Sequence, residues 1–202
     1  MNTEIKLPPR NNTNFPLAVQ EFLKSVQWSP TDILQHHQQI INHYFIKNRN
    51  HRGLLIFHGT GYGKTMLSVS IAEILKNTYN VVILSPKSLQ NTFMKEVDRY
   101  SKLTGITGVE DYVYLSSNAG NMRKKLTELD KSVEEIEFEN SLELFNTSIK
   151  LDNTLLIMDE AHHIFNGIAN EAKNAIALYE SIMKAKNIKL IFMTATPITN
   201  DP

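Results

Sequence analysis

The chain has 202 residues, of which 21 are lysine or arginine and 21 are aspartate or glutamate, and it contains no cysteine. The formal net charge is zero, which argues against a strongly basic nucleic-acid-binding module but leaves room for a local basic patch. The lack of cysteine excludes disulfides and thiol-based metal sites or catalysis, and it fits a reducing compartment. No apolar run is long enough to cross a membrane and the amino-terminal residues do not resemble a secretory signal, so we expect an intracellular protein.

The predicted elements begin with a polar arm and two helices. Residues 1–15 contain several asparagines and prolines without an apolar core, and we interpret them as a flexible arm. Apolar residues at helical spacing predict a helix over 16–27, and Pro30-Thr31 is a start signal for a second helix that continues to residue 48. We expect the folded domain to cover residues 16–202.

Short apolar runs then alternate with amphipathic helical segments. The runs lie at residues 54–57, 81–84, 112–115, 155–158 and 190–193, and the helical segments lie at 64–78, 87–101 and 167–186. Continuous apolar runs that are separated by helices are typical of parallel strands covered on both faces. The pattern therefore predicts an α/β fold with a doubly wound, mostly parallel sheet.

Residues 119–151 interrupt this alternation. The segment begins with basic residues around Arg123 and becomes acidic, with Glu134, Glu135 and Glu137 close together. We interpret it as a solvated helical excursion from the sheet, because charge runs are usually exposed faces. A regulatory or partner-docking insertion is the alternative.

A glycine-rich loop follows the first apolar run, in the stretch FHGTGYGKT. Its loop residues are Gly59, Thr60, Gly61, Tyr62 and Gly63. Glycines let successive N–H groups point inward around an anion, and the N-terminus of the following helix adds partial positive charge. Lys64 is expected to reach the β- and γ-phosphates of a nucleotide, and the Thr65 hydroxyl is expected to bind Mg²⁺. A plain glycine turn is the alternative, because His58 stands where the strict G-x-x-x-x-G-K-[ST] pattern has glycine.

A second motif, LLIMDEAHH, places two carboxylates at the end of an apolar run. Ligands of doubly wound sheets bind at the C-terminal ends of the strands. Asp159 is expected to hold Mg²⁺, and Glu160 is expected to orient and deprotonate the water that attacks the γ-phosphate. An ordinary acidic turn is the alternative, and it is much the weaker one because Lys64 also follows the end of a predicted strand.

The third motif and the order of all three carry a resemblance. FMTATPI places the hydroxyls of Thr194 and Thr196 at the end of another strand. GTGYGKT, DEAH and TATP, in this order, resemble motifs I, II and III of superfamily 2 helicases and translocases, and the resemblance extends from Leu34 to the C-terminus. The string RGLLIFHGTGYGKT, with ITNDP after the third motif, looks most like helicase-like proteins of large nucleocytoplasmic DNA viruses, whose relatives include transcription-associated ATPases. The resemblance implies a RecA-like P-loop lobe that uses ATP and Mg²⁺, in the host cytoplasm or the virion if the source is viral.

The resemblance also implies roles for residues outside the two strongest motifs. LQHHQ looks like the glutamine motif, which would put Gln38 against the adenine edge, and the polar face of a helix is an equally good interpretation. His162 would couple the nucleotide to the third motif, where Thr194 and Thr196 lie. SPKSL and LSSNAGN resemble motifs Ia and Ib, in which polar side chains contact the nucleic-acid backbone. The candidate contacts are Lys87, Ser88, Ser116 and Ser117. A helix start and a polar turn are the alternatives for these two segments.

Superfamily 2 enzymes place ATP between two RecA-like lobes, and the second lobe supplies an arginine that stabilises charge on the transferred phosphoryl group. We therefore expect the N-terminal lobe of a longer nucleic-acid-dependent ATPase, with the second lobe absent, and a short natural relative is the alternative. We expect weak binding of DNA or RNA and little hydrolysis by this lobe alone. The alternative function is a P-loop ATPase switch or scaffold that controls a protein partner without translocation.

Overall fold

The computed structural model describes residues 7–27, 29, 32–48, 50–105, 112–116 and 151–196. The helices in this part of the chain are α1 (Phe15–Ser25), α2 (His36–Lys47), α3 (Lys64–Leu75), α4 (Lys87–Thr104), α5 (His162–Ala169) and α6 (Lys173–Lys184). The strands are β1 (Gly53–Phe57), β2 (Asn80–Ser85), β3 (Val113–Ser116), β4 (Thr154–Met158) and β5 (Lys189–Thr194).

The five strands form one parallel sheet in the order β1-β5-β4-β2-β3. At its C-terminal edge, Phe57 of β1 lies opposite Thr194 of β5, and Met158 of β4 lies opposite Phe192 of β5. The predicted parallel α/β fold is therefore confirmed. Because these three strands are neighbours and end at the same edge, the loops that follow β1 and β4 meet beside the end of β5.

Two apolar clusters cover the two faces of the sheet. Along β2, Val81 and Ile83 pack into a cluster with side chains of α2, α3 and α4, while Val82 and Leu84 pack into a cluster with side chains of α5 and α6. This alternation is what a strand buried on both faces requires, because successive side chains point to opposite faces. Each large apolar side chain that is fully buried contributes roughly 1.5–3 kcal/mol to folding.

β1 departs from the prediction of strands that are buried on both faces. Ile56 is buried in the cluster with α2 and α3, whereas Leu55 and Phe57 are 52% and 55% exposed. β1 lies at one edge of the described sheet. The side chains of α5 and α6 pack on β4 and β5 and not on β1. The prediction was wrong for β1, because an apolar run does not say which strand lies at an edge.

The prediction of one helix over 167–186 was also wrong, because a turn separates α5 from α6. The backbone of Glu171 is left-handed, with φ of +56°. The Glu171 N–H donates to the carbonyl of Ile168 (3.0 Å), and the Ala172 N–H donates to the carbonyl of Gly167 (2.8 Å). This pair of hydrogen bonds is the Schellman motif that ends many helices. Apolar spacing continues across the turn, since both helices pack in the same cluster, so the pattern hides the break.

Several other boundaries differ from the predicted ones. α2 begins at His36, because the side chain of Gln38 accepts a hydrogen bond from the Gln35 N–H (2.8 Å) and so closes a capping box. The predicted start, Pro30-Thr31, lies outside the described residues. α3 ends at Leu75 rather than at residue 78.

α4 continues to Thr104 rather than ending at residue 101, and Gly105 follows it with φ of +68°. β3 begins at Val113, so Tyr112 precedes the strand rather than starting it. The buried Tyr112 hydroxyl donates to Glu73 on α3, which also forms an ion pair with Lys76 (2.8 Å).

Two predicted segments fall mainly outside the described residues. Of the predicted arm, residues 1–6 lie outside, and residues 7–14 precede α1, which begins at Phe15. Of the predicted excursion, residues 119–150 lie outside, and Leu151 is buried in the cluster with α5 and α6. The arm, the excursion and the domain boundaries therefore stay predictions. No helix of the described part combines the length and the apolar character that a membrane-spanning helix needs.

Candidate nucleotide-binding site

The glycine-rich loop runs from the end of β1 to the start of α3. Gly61 and Gly63 have φ of +83° and +70°. Residues that have a Cβ adopt this backbone conformation only under strain. Gly63 is also packed closely, because a Cβ at this position would lie 2.3 Å from Nε2 of Gln38. These glycines give the chain the sharp turn that brings the N-terminus of α3, an anion-attracting end, to face the loop.

Lys64 is folded back onto the loop. Its Nζ donates to the carbonyls of His58 (2.8 Å) and Gly59 (3.2 Å). A nucleotide phosphate that binds in the loop would take over these hydrogen bonds, exchanging two carbonyl acceptors for a charged one. The ammonium and an anionic phosphate also attract each other as opposite charges, which a neutral carbonyl does not match, so the exchange favours the phosphate.

Gln38 holds the loop from the side of α2. Its side chain is buried, with the residue only 3% exposed, and its Nε2 donates to the carbonyl of Gly63 (2.9 Å) and more weakly to that of Tyr62 (3.5 Å). The Oε1 atom accepts the Gln35 N–H. Both ends of the amide are therefore engaged with the protein, and the predicted contact with an adenine stays a prediction.

Two histidines line the start of the loop. The rings of His37 and His58 are 5.3 Å apart in an edge-to-face arrangement, and Nε2 of His37 lies 3.5 Å from the carbonyl of Tyr62. Burial lowers the pKa of His58, and the nearby His37 and Lys64 lower it further. His58 departs from the strict glycine pattern. Its backbone carbonyl accepts the hydrogen bond from Lys64, and the lowered pKa favours the neutral form of its side-chain ring.

Asp159 directly follows β4 and is held firmly. Its Oδ1 accepts the Glu160 N–H (3.1 Å), and its Oδ2 accepts the hydroxyl of Ser85 (3.3 Å). Burial raises the pKa of Asp159 and the neighbouring Glu160 carboxylate raises it further, while the Ser85 hydroxyl, the Glu160 N–H and the Lys64 ammonium oppose the shift. The glycine loop follows β1 and the acidic pair follows β4, so both lie at the C-terminal edge of the sheet, on either side of β5.

Glu160 has an unusual backbone for a residue with a side chain, with φ of +49°. Such a conformation costs roughly 1–3 kcal/mol and is concentrated at functional sites, where it aims a side chain. The Glu160 side chain is 26% exposed, and its Oε2 lies 3.3 Å from Nδ1 of His162. The carboxylate is therefore accessible from solvent and oriented by the first residue of α5.

His162 connects the acidic motif to the threonine motif. Its Nδ1 lies 3.0 Å from Oγ1 of Thr194, which accepts the Thr196 N–H (3.1 Å) and lies 2.9 Å from the Thr196 carbonyl. The backbones also meet, since the Ala161 N–H donates to the carbonyl of Met193 (2.9 Å). Hydrogen bonds thus tie the second motif to the third, and the coupling role that the resemblance implies for His162 stays a prediction.

The residues that are present fit a bound Mg²⁺ ion. Thr65 is the second residue of α3, directly after the glycine loop, and Asp159 directly follows β4, so both lie at the C-terminal edge of the sheet. A hydroxyl and a carboxylate supply the hard oxygen ligands that Mg²⁺ prefers. The pKa of Asp159 is raised by burial and by a second carboxylate, and a divalent cation beside the pair would offset both effects.

The candidate nucleic-acid residues lie along the same edge, beyond β4. Lys87 and Ser88 are exposed at the N-terminus of α4, directly after β2. Ser116 is the last residue of β3, and its Cα pairs with that of Ser85 at the end of β2. Ser117 lies outside the described residues. The structure brings the start of α4 beside the end of β3, and the nucleic-acid roles stay predictions.

Sequence reasoning missed Ser85, which contacts Asp159 directly. Ser85 and Pro86 together are typical of a helix start, so the sequence prediction assigned a function only to the residues that follow them, Lys87 and Ser88. The available signal was its place directly after the predicted strand at residues 81–84, because the C-terminal ends of parallel strands lie at one edge.

Known proteins of two viruses resemble this chain in sequence. It is 31% identical over 217 residues to the termination factor NPH-I homolog of African swine fever virus, covering 95% of this chain and 30% of that protein. It is 27% identical over 178 residues to nucleoside triphosphatase I of Amsacta moorei entomopoxvirus, covering 83% of this chain and 25% of that protein. The chain thus spans less than a third of the length of either relative.

This chain also resembles a solved structure and matches a protein family. The SWI2/SNF2 ATPase core of Sulfolobus solfataricus in complex with dsDNA matches with a TM-score of 0.51 and 14% identity, over 82% of this chain and 32% of that chain. At this identity the likeness shows the fold. The family described as "Type III restriction enzyme, res subunit" matches residues 18–199, which include the glycine loop and both later motifs. The chain therefore belongs to this res-subunit family, and it is a RecA-like lobe of the superfamily 2 helicase class.

Proposed function

We propose that the chain is the ATP-binding lobe of a longer nucleic-acid-dependent ATPase, a helicase or translocase. One observation carries the proposal: Lys64, the Asp159-Glu160 pair and Thr194 all follow or end neighbouring strands at one edge of the sheet. A cation at a helix N-terminus and two carboxylates at the same edge of a sheet are the groups that phosphoryl transfer needs. The viral relatives support the same reading by their names, which include a nucleoside triphosphatase and a termination factor.

Each residue has a definite role in this proposal. The loop N–H groups and Lys64 hold the β- and γ-phosphates, and Thr65 and Asp159 hold Mg²⁺, which when bound neutralises charge on the phosphate oxygens. Glu160 orients the attacking water and accepts its proton. The difference between the two carboxylates supports this division, because both oxygens of Asp159 have donors while Glu160 is accessible from solvent.

The nucleic-acid partner and the second lobe are further parts of the proposal. Lys87 and Ser88 at the start of α4, with Ser116 and Ser117, would contact the phosphate backbone of DNA or RNA, and the contact would be weak because the net charge is zero. The greater length of the relatives supports a second RecA-like lobe in the full protein. We also propose an intracellular location, in the host cytoplasm or the virion if the source is viral.

Calorimetry with ADP and Mg²⁺ tests the nucleotide site. We expect weak, Mg²⁺-dependent binding to the wild type and no measurable binding to Lys64→Ala, because that change removes the cation that faces the phosphates. Lys102→Ala is the matched control, since Lys102 is an exposed lysine on α4, and it should bind ADP like the wild type. Equal affinities of the wild type and Lys64→Ala would overturn the assignment.

A further inference from the structure

Ser85 is a buried hydroxyl beside the proposed metal ligand. The residue ends β2 and is 0% exposed. Its Oγ lies 3.3 Å from Oδ2 of Asp159 and 3.4 Å from the carbonyl of Pro86. A hydroxyl carries one proton, so these two acceptors share it, and the carboxylate is the stronger of the two because it is charged.

The end of β2 holds Asp159 by both its backbone and its side chain. The Asp159 N–H donates to the carbonyl of Leu84 (2.8 Å), and the next residue along β2 supplies the hydroxyl. The other carboxylate oxygen accepts the Glu160 N–H. Two donors on different oxygens fix the rotation of the carboxylate, and they leave further lone pairs for another ligand, because an ionised carboxylate has about four acceptor positions.

We propose that Ser85 is a positioning residue, whose hydroxyl holds the Asp159 carboxylate in the orientation that binds Mg²⁺ with the nucleotide. This inference rests on the proposed function. Outer partners of metal ligands act by orienting the ligand, and their loss typically lowers metal affinity by about 10- to 100-fold. The Ser85 contact is long for an O–H donor, so we expect a loss at the lower end of this range, about 10-fold.

Two variants and one control separate positioning from packing. Ser85→Ala removes the hydroxyl with little change in volume, and Ser85→Thr keeps it on a residue that suits a strand. Ser181→Ala is the matched control, because Ser181 is also buried and its hydroxyl donates to the Ala177 carbonyl (2.7 Å) within α6. Thermal unfolding checks that all three variants fold.

The measurement is the affinity for ADP, first in EDTA and then across a Mg²⁺ titration. For Ser85→Ala we expect the Mg²⁺ concentration at half-effect to rise about 10-fold, with the affinity in EDTA unchanged. Ser85→Thr should restore the wild-type Mg²⁺ dependence, and Ser181→Ala should not alter it.

Each other outcome counts against a specific claim. A wild-type Mg²⁺ dependence in Ser85→Ala overturns the positioning role, and so does an equal loss of ADP affinity in EDTA, which would mean a general disturbance of the pocket. If Ser85→Thr fails to fold, the comparison of Ser85→Ala with Ser181→Ala still decides. A wild-type chain that binds no ADP at all overturns the proposed function itself, and the inference falls with it.

Discussion

The Nδ1 atom of His162 lies 3.0 Å from Oγ1 of Thr194 and 3.3 Å from Oε2 of Glu160. One imidazole therefore contacts both the proposed general base and the threonine that ends β5. Because Thr194 is in turn hydrogen-bonded to Thr196, a change in the position of Glu160 can be passed to the residues beyond β5 through direct contacts.

The first prediction concerns this link. Thr194→Val keeps the shape of the side chain but removes the hydroxyl that meets His162, whereas Thr194→Ser keeps the hydroxyl. In the full-length protein we expect Thr194→Val to reduce nucleic-acid-stimulated ATP hydrolysis by roughly 2- to 30-fold, the range of measured coupling energies, and to leave ADP binding unchanged. Thr194→Ser should remain close to the wild type. Steady-state assays with and without nucleic acid check this, and equal stimulation of both variants would contradict it.

The second prediction concerns turnover by the chain alone. Arg52 donates to the Ile182 carbonyl at the end of α6, and Arg99 pairs with Glu96 on α4 (3.6 Å), so both arginines are engaged away from the glycine loop. An arginine at the transferred phosphoryl group is worth about 10³–10⁵ in rate. We expect ATP hydrolysis by the chain to be slower than that of the full-length protein by about this factor, and nucleic acid should not stimulate it.

Glu160→Gln provides the control for that assay. It should abolish hydrolysis by the full-length protein and leave ATP binding intact, because the amide cannot accept the proton of the attacking water. Turnover by the chain alone at about 1 s⁻¹, a common enzymatic rate, that Glu160→Gln stops would show that an arginine comes from within the chain or from a second copy of it.

The third prediction concerns pH. Burial, aided by His37 and Lys64, lowers the pKa of His58 below its ordinary value of 6.5. The unfolded chain then takes up this proton at a higher pH than the folded chain, so the free energy of unfolding falls as the pH drops below the ordinary pKa. Burial, followed by the charge of Lys47, lowers the pKa of His43. His43 therefore also lowers the free energy of unfolding as the pH falls.

Thermal unfolding between about pH 7 and pH 5 measures this effect. We expect the melting temperature of the wild type to fall more steeply with acid than that of His58→Gln, and the double variant with His43→Gln should fall less steeply still. Parallel curves for the three proteins would show that these histidines do not govern the acid response.

The fourth prediction concerns the turn between α5 and α6. Glu171 occupies the left-handed position of a Schellman motif, with φ of +56°, where glycine is the preferred residue. Glu171→Gly relieves the strain and should raise the free energy of unfolding by about 0.5–1 kcal/mol, after the entropy of the more flexible unfolded chain is subtracted. Urea denaturation measures the change. Glu171→Ala removes the carboxylate but keeps the Cβ, so a gain of equal size in that variant would point to charge rather than strain.

The sequence predicted the parts of the fold that depend on local composition. Runs such as residues 81–84 and 155–158 are aliphatic enough to be strands in any arrangement, and parallel strands place their following loops at one edge. The position of the glycine loop and the acidic pair at the same edge could therefore be expected. Strand order is a different matter, because it is set by packing between distant segments. The exposed face of β1 follows from its place at an edge and from the packing of α5 and α6 on β4 and β5.

Contacts between segments explain the other differences. Glu171 ends α5 without the glycine that usually marks such a turn, so the spacing of apolar residues concealed the break. Ser85 stands next to Asp159 only because β2 and β4 are neighbours. Gln38 was assigned to an adenine by resemblance, and its hydrogen bonds to the loop depend on how α2 packs against α3. The residue types at the site could be predicted, but the partners of these side chains could not.

The contact between Gln38 and Gly63 also limits how this protein can diverge. A side chain at position 63 would place its Cβ 2.3 Å from the Gln38 amide nitrogen, and a shorter residue at position 38 would take away the donor that meets the Gly63 carbonyl. Position 38 on α2 therefore constrains position 63, the residue before α3, and the glycine in turn makes room for the glutamine. A descendant that loses the glutamine should carry a compensating donor elsewhere that reaches the same carbonyl, and the loop backbone would keep its path while the surrounding sequence drifts.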